Sequence, residues 1–202
     1  IQAHAIAVEL DAVAPRGTVD VEMRGQCDAA TQRIATQPGR DAARAARRGS
    51  LLHTLFEHLP AVPPAERAAR ATAWLARQAA DFSAQEREAM AAEALTVLET
   101  PGLEALFGPE AFAEAPVAAI LGDRVVQGRI DRLLIAADHV QFIDFKTSLR
   151  IPPELPPAIA AQMDAYARAL ALAFPKRRIQ PLLLWTAGPR LMRLPVLEQA
   201  QQ

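Results

Sequence analysis

The sequence predicts an α/β protein: a mixed central sheet of about five strands flanked by helices, with an N-terminal helical subdomain ahead of it. Three observations carry this. The hydrophobic period changes from helical to strand-like near residue 110, Gly122-Asp123 has the composition of a two-residue hairpin turn, and a helical run, Ala158 to Phe174, follows the third strand and packs on the sheet.

Residues 1 to 26 show no clear period, with a weakly strand-like TVDVEM between the breakers Pro15, Gly17 and Gly25, and 1–40 is expected to be a linker or N-terminal extension. The stretch 41–108 is expected to be a helical subdomain carrying His53, and 109–202 the sheet and its helix. From Asp28 to Leu59 the pattern is helical, interrupted around Pro38 and Gly39. Leu52, Leu55, Phe56 and Leu59 form one apolar stripe on that run. Glu66 to Ala80 gives a second helix with Trp74 and Leu75 inward. Ser83-Ala84-Gln85-Glu86 is a capping box that opens a third, which Pro101 and Gly102 stop. Glu114 to Leu121, Arg124 to Ala136 and His139 to Thr147 read as strands. Pro152, Pro153, Pro156 and Pro157 make a stiff connector before the helix Ala158 to Phe174. Strands Ile179 to Thr186 and Arg190 to Leu194 close the pattern around Ala187-Gly188-Pro189.

Composition narrows the chemistry. A chain of 202 residues, 51% hydrophobic and 22% charged, buries a real core and is not disordered. Its one cysteine, Cys27, forms no internal disulfide and no cysteine-ligated zinc or iron–sulfur site, which points to carboxylates, histidine and lysine and to a reducing, cytoplasmic setting. Ala165 to Phe174, broken by Arg168, falls short of the roughly 20 apolar residues of a membrane span, so no membrane partner is expected. The first ten residues lack a basic leader and an initiating Met, so the chain is expected to come from something longer. With 22 basic and 23 acidic residues the net charge is −1, which argues against gripping nucleic acid by bulk charge alone but not against a guided strand.

Residues i and i+2 of a strand share a face, so in Ile143-Asp144-Phe145-Lys146 the carboxylate and the ammonium project together. An exposed ion pair has the same pattern. The apolar neighbours Phe142, Ile143 and Phe145 suggest a central strand, where such a pair costs free energy unless a metal or substrate compensates. Only two of the 22 basic residues are lysine, and a compact amine does what a planar guanidinium cannot. Antiparallel pairing could bring Asp131, in Gly128-Arg129-Ile130-Asp131-Arg132, beside Asp144. Two or three acids at an open cleft suit a hard divalent cation, although Asp131 could equally pair with Arg129 or Arg132. His53, with Glu57 one turn on, and Gln162 with Tyr166, again i and i+4, are by spacing alone a solvated histidine and core-edge residues.

In order along the chain, RGSLLHTLFEHLP, GRIDRL, FIDFKTS and QMDAYARAL resemble the RecB-type exonuclease branch of the PD-(D/E)xK nuclease superfamily. With LLLWTAGPRLMRLP at the end, the resemblance is closest to the C-terminal nuclease domains of AddA-type helicase-nuclease subunits, over about residues 47–195. It implies a restriction-endonuclease-like fold. It also implies His53, Asp131, Asp144 and the Phe145 carbonyl as metal ligands, Lys146 as catalytic lysine, and Gln162 and Tyr166 as residues that arrange the site and the strand. Glu114 is similar to an acid in some relatives. The cofactor implied is magnesium, with manganese as substitute. The partners implied are DNA, a helicase region of the same parent chain and an AddB-like subunit. AddB itself carries a cysteine-ligated iron–sulfur cluster, which this chain, with Cys27 alone, does not match.

The expected activity is metal-dependent exonuclease hydrolysis of DNA phosphodiester bonds in double-strand break repair. No G-x-x-x-x-G-K-S/T sequence is present, so no ATPase activity is expected. Candidate DNA contacts are Arg47, Arg48 and Arg150, with Arg40, Arg44, Lys176, Arg177 and Arg178 as further clusters. Two alternatives are a non-catalytic docking module for a partner subunit, whose signature would be a decayed site, and an autonomous nuclease without a motor.

Overall fold

The computed structural model describes residues 39–197. TVDVEM, the first part of the helical run from Asp28, and Cys27 lie outside them.

Helix α1 (Arg40–His58) buries the stripe read from its spacing: Leu52, Leu55 and Phe56, followed by Leu59 in a short 3-10 turn. Helix α2 (Pro64–Gln78) opens with a proline in its first turn, where no amide partner is lost, and buries Leu75. Helix α3 (Ala84–Leu98) has the expected capping box: the Glu86 amide donates to Ser83 Oγ and the Ser83 amide to Glu86 Oε2, at 3.3 and 2.7 Å. Arg44 of α1 also donates to the Glu86 carboxylate, which is held down at about 2 by that bond and by Ser83.

Five strands form one sheet in the order β1 (Ala111–Leu121), β2 (Arg124–Ile135), β3 (His139–Lys146), β4 (Arg178–Trp185) and β5 (Arg190–Arg193). All neighbours are antiparallel except β3 and β4, which run parallel through the crossover helix α4 (Pro157–Ala173). Leu121 pairs with Arg124 across Gly122-Asp123, and Gly122 takes the positive φ of 66° that the tight turn demands. β1 starts ahead of Glu114, at Ala111. Glu114 has φ of 50°, which interrupts the strand alternation and hides its first residues from a period-two reading.

The sheet lies between two apolar layers. On one face α1, α2 and α3 pack against Ile143, Phe145, Leu182 and Leu184, so the helical stretch shares its core with the sheet. On the other, α4 packs Met163, Ala167 and Leu170 against Val140, Phe142, Leu183 and residues of β1 and β2. β3 and β4 are therefore buried on both faces, as continuous apolar runs in central strands are.

Candidate active site

The site begins with a slip in β2. Ile130 and Leu133, three residues apart, both sit in the core against α4, so strict alternation fails between them. Asp131 and Arg132 consequently both turn to α1. Asp131 Oδ1 lies 3.2 Å from His53 Nδ1, and Arg132 donates to the carbonyls of Phe56 and Glu57, at 2.5 and 2.9 Å. Those carbonyls belong to the last turn of α1, which has no helical partner for them, so Arg132 caps the helix that carries His53. Pairing of β2 with β3 starts at Arg132 and Ile143, and Asp131 Oδ2 accepts the Phe145 amide at 2.6 Å. The same residue thus receives a hydrogen bond from the sheet and an imidazole from the helix.

Ala113 pairs with Arg132 and Ala115 with Ile130, which puts Glu114 across from Asp131 at the strained position of β1. One donor atom each from His53, Glu114 and Asp131 lies within 4.8 Å of the others. These are a nitrogen and two carboxylate oxygens, a set that fits a hard or borderline divalent cation. The electrostatics agree. Burial lowers the His53 pKa, but the Asp131 hydrogen bond and the charges of Asp131, Glu114 and Asp144 outweigh it and leave it raised. Burial, then Asp131, pushes the Glu114 carboxyl up. The imidazole edge also packs against Phe56 and Phe145, with ring centroids 6.2 Å away in both cases.

Asp144 stands next to this group rather than in it. It is 7% exposed, and burial followed by Asp131 raises its pKa. Its Oδ2 is 2.7 Å from Lys146 Nζ, so the buried carboxylate is charge-paired with the ammonium. Lys146 Nζ donates to Gln162 Oε1, and Gln162 Nε2 to the Tyr166 hydroxyl, both at 3.3 Å. Tyr166 is buried against Gly128, where a Cβ would meet its hydroxyl at 2.0 Å. Asp144, Lys146, Gln162, Tyr166 and Gly128 therefore form one continuous line from β3 through α4 to β2.

The arginines divide. Arg48 turns inward: it donates to the Thr147 carbonyl at 2.7 Å and ion-pairs with Glu93 of α3, the two side chains being 14% and 10% exposed. Arg48, a candidate DNA contact, is thus held by Glu93, which is far away in sequence. Glu93 in turn accepts from Thr186 at 2.6 Å, and the Thr186 amide donates to the Lys146 carbonyl. Arg47 donates to the Gln78 carbonyl, Arg44 is held by Glu86, and Arg178 pairs with Asp138. Arg150 is exposed, and its guanidinium has no partner among the described residues. The Arg48–Glu93–Thr186 connection and Gly128 were not singled out from the sequence. The former joins residues distant in the chain, and the latter has its meaning only against Tyr166.

Two open clefts meet at Thr147. One, of about 510 Å³, is lined by His53, Glu57, Glu114 and Asp131. The other, of about 500 Å³, is lined mainly by Lys146, Arg150, Pro152, Pro156, Ile159 and Trp185.

Hard donors converging beside a lysine, on adjacent strands of a mixed sheet, define a site suited to an anionic phosphate group. The family model of the PD-(D/E)XK nuclease superfamily matches residues 26–200, and the chain belongs to that superfamily. The match begins ahead of residue 40, so part of the expected N-terminal extension is within the family's reach. None of the curated proteins matches the chain. A solved structure described as that of SSO0001 is similar over 75% of this chain and 77% of its own, at 13% identity and a TM-score of 0.30. Among the described residues no helix is long and apolar enough to cross a membrane.

Proposed function

We propose that the chain is a magnesium-dependent DNA exonuclease domain of the AddA type. It hydrolyses phosphodiester bonds in double-strand break repair, is fed by a helicase motor of its parent chain, and is partnered by an AddB-like subunit. The observation that supports this best is the convergence of His53, Glu114 and Asp131 beside the Asp144–Lys146 pair.

His53, Glu114 and Asp131, with Asp144 adjacent, are the residues that would hold the cation. Magnesium, or manganese in its place, would supply Lewis acidity at a phosphate oxygen and a more acidic bound water. The chain's own groups do the rest. Lys146 is anchored by Gln162 on one side and Asp144 on the other, which leaves its ammonium a donor for a phosphate oxygen or for the attacking water. The Phe145 amide fixes one Asp131 oxygen, so the other is kept toward His53. Tyr166 holds Gln162 in place, and through it the lysine.

The test is digestion of end-labelled single-stranded DNA by the purified chain with magnesium, with EDTA, and with Asp144→Ala and Asp131→Ala. Mononucleotide release that needs magnesium and is lost in both variants supports the proposal. Internal fragments would overturn the exonuclease part of it. Absence of both cleavage and calorimetric magnesium binding would put the docking module first.

A further inference from the structure

Strand β3 loses a neighbour where its chemistry begins. Its pairing with β2 covers Val140 to Ile143, so the stretch Asp144–Lys146 has only β4 beside it, apart from the Phe145 amide that Asp131 accepts. Past that point two consecutive carbonyls are held in turn. The Lys146 carbonyl accepts the Thr186 amide at 3.0 Å, and the Thr147 carbonyl accepts Arg48 Nη1 at 2.7 Å. Thr186 follows β4 and Arg48 lies on α1, yet a single carboxylate ties the two together. Glu93 of α3 accepts the Thr186 hydroxyl on Oε1 at 2.6 Å and pairs with the Arg48 guanidinium through Oε2. The helix closes on the same spot: a Cβ on Gly49 would meet Thr147 Oγ1 at 2.8 Å, and His53 stands one turn further along α1.

We infer that Glu93 is a positioning residue for the hydrolytic step: by holding Arg48 and Thr186 together it fixes the end of β3 against α1, and so sets Lys146 relative to His53. This rests on the nuclease reading above. Stability alone does not account for the arrangement, since a buried ion pair is commonly matched or surpassed by apolar side chains of similar volume. What apolar side chains cannot supply is direction. A guanidinium and a carboxylate fix angles as well as distances, and here they do so at the two peptide groups on the far side of the lysine. The Lys146 ammonium is held at its tip by Gln162 and Asp144, but the tip is only as steady as the backbone that carries it. A reacting group misplaced by about 1 Å loses about 100-fold in rate. Glu93 itself lines neither cleft, so it acts through Arg48 and Thr186 and not on the strand.

The test is single-turnover cleavage of end-labelled single-stranded DNA by the full chain in magnesium, with amide hydrogen exchange measured in parallel in EDTA. In the double variant Arg48→Met/Glu93→Leu both charges leave together, so the melting temperature should stay close to that of the wild type. Its maximal cleavage rate should nevertheless fall about 10–100-fold, while the DNA and magnesium concentrations that give half the maximal rate do not move. The Thr186 amide, which bonds the Lys146 carbonyl, should exchange about tenfold faster. Thr186→Val, which removes the hydroxyl that Glu93 accepts, should slow cleavage in the same way, and Thr186→Ser should restore it. If the double variant fails to fold, the two Thr186 variants decide alone. A folded double variant that cleaves at the wild-type rate would overturn the proposal, as would a Thr186→Ser protein no faster than Thr186→Val. So would a loss confined to DNA affinity, which would make Arg48 a strand contact. The nuclease reading fails separately: faster Thr186 exchange in the double variant, with no magnesium-dependent cleavage by the wild type, would leave the clamp standing and the enzyme not.

Discussion

Replacing Gly128 with alanine tests the line of contacts from β2 to Lys146 at the point where it has no slack. The added methyl would stand 2.0 Å from the Tyr166 hydroxyl oxygen, 2.6 Å from Cζ and 2.8 Å from Cε1, all shorter than real carbon contacts allow. Tyr166 is 7% exposed and walled in by α4 and the sheet, so the ring cannot simply swing out. Overpacking of this kind costs about 1–3 kcal/mol. Loss of the Gln162–Tyr166 hydrogen bond adds about 1 kcal/mol. Alanine's smaller entropy loss in a strand returns about 0.5–1 kcal/mol. The net is about 2 kcal/mol, or about 4–8 °C in melting temperature for a chain of this size. Nuclease activity should fall more than stability does, because Gln162 is one of the two groups that hold Lys146. The assays are a thermal melt and single-turnover cleavage, with Gly128→Ala repeated in a Tyr166→Ala background. There the clash is gone and the second substitution should cost nothing. A Gly128→Ala protein that melts with the wild type and cleaves at its rate would refute the reasoning.

The Arg48–Glu93 pair is mostly buried, so Glu93→Ala, which strands the guanidinium, should cost about 3 kcal/mol in urea unfolding, and a loss under 1 kcal/mol would count against it. Glu114→Gln replaces one of three convergent donors, a charged carboxylate, by a neutral amide oxygen and should weaken manganese binding about tenfold, or 1.4 kcal/mol, in calorimetry; unchanged affinity would leave the Glu114 charge without a part in binding. For pH dependence, His53 has its pKa raised in the fold from an ordinary 6.5. Its stabilising contribution is therefore full below pH 6.5 and lost as pH rises through the raised value. Without metal, the stability gap between wild type and His53→Gln should be largest at pH 5.5 and close by alkaline pH, and a gap independent of pH would contradict this. Asp144 and Glu114, also raised, titrate with the same sign: protons bound in the fold are released as pH rises, so metal-free stability falls while cation affinity grows, as paired melts with EDTA and with magnesium at two pH values will report.

The sheet was legible because its signals are local. Gly122-Asp123 declares a hairpin, Phe142 to Phe145 a strand buried on both faces, and Ser83 with Glu86 a helix start, each within a few residues. The Asp144 and Lys146 side chains come together as strand geometry requires, since i and i+2 share a face. What brings Asp131 to His53 is different. Counted back from Leu133, alternation aims Asp131 at α4, and counted on from Ile130 it aims it at α1; the slip at Asp131–Arg132, matched by the positive φ of Glu114, lets both Asp131 and Arg132 face α1. A period-two reading has no means of seeing a break in its own period. The inward turn of Arg48 was hidden for another reason: a run of arginines looks solvated until the helix that supplies Glu93 is folded against it.

Because His53 rides on α1 and its two acidic neighbours on the sheet, any ion bound by all three is a rivet between two layers. Thermodynamic linkage then runs in both directions: the ion tightens the seating of α1, and whatever unseats α1 expels the ion by the same free energy. A pull of a few ångströms on one helix would suffice to disarm the site, although Lys146 itself sits on a different element.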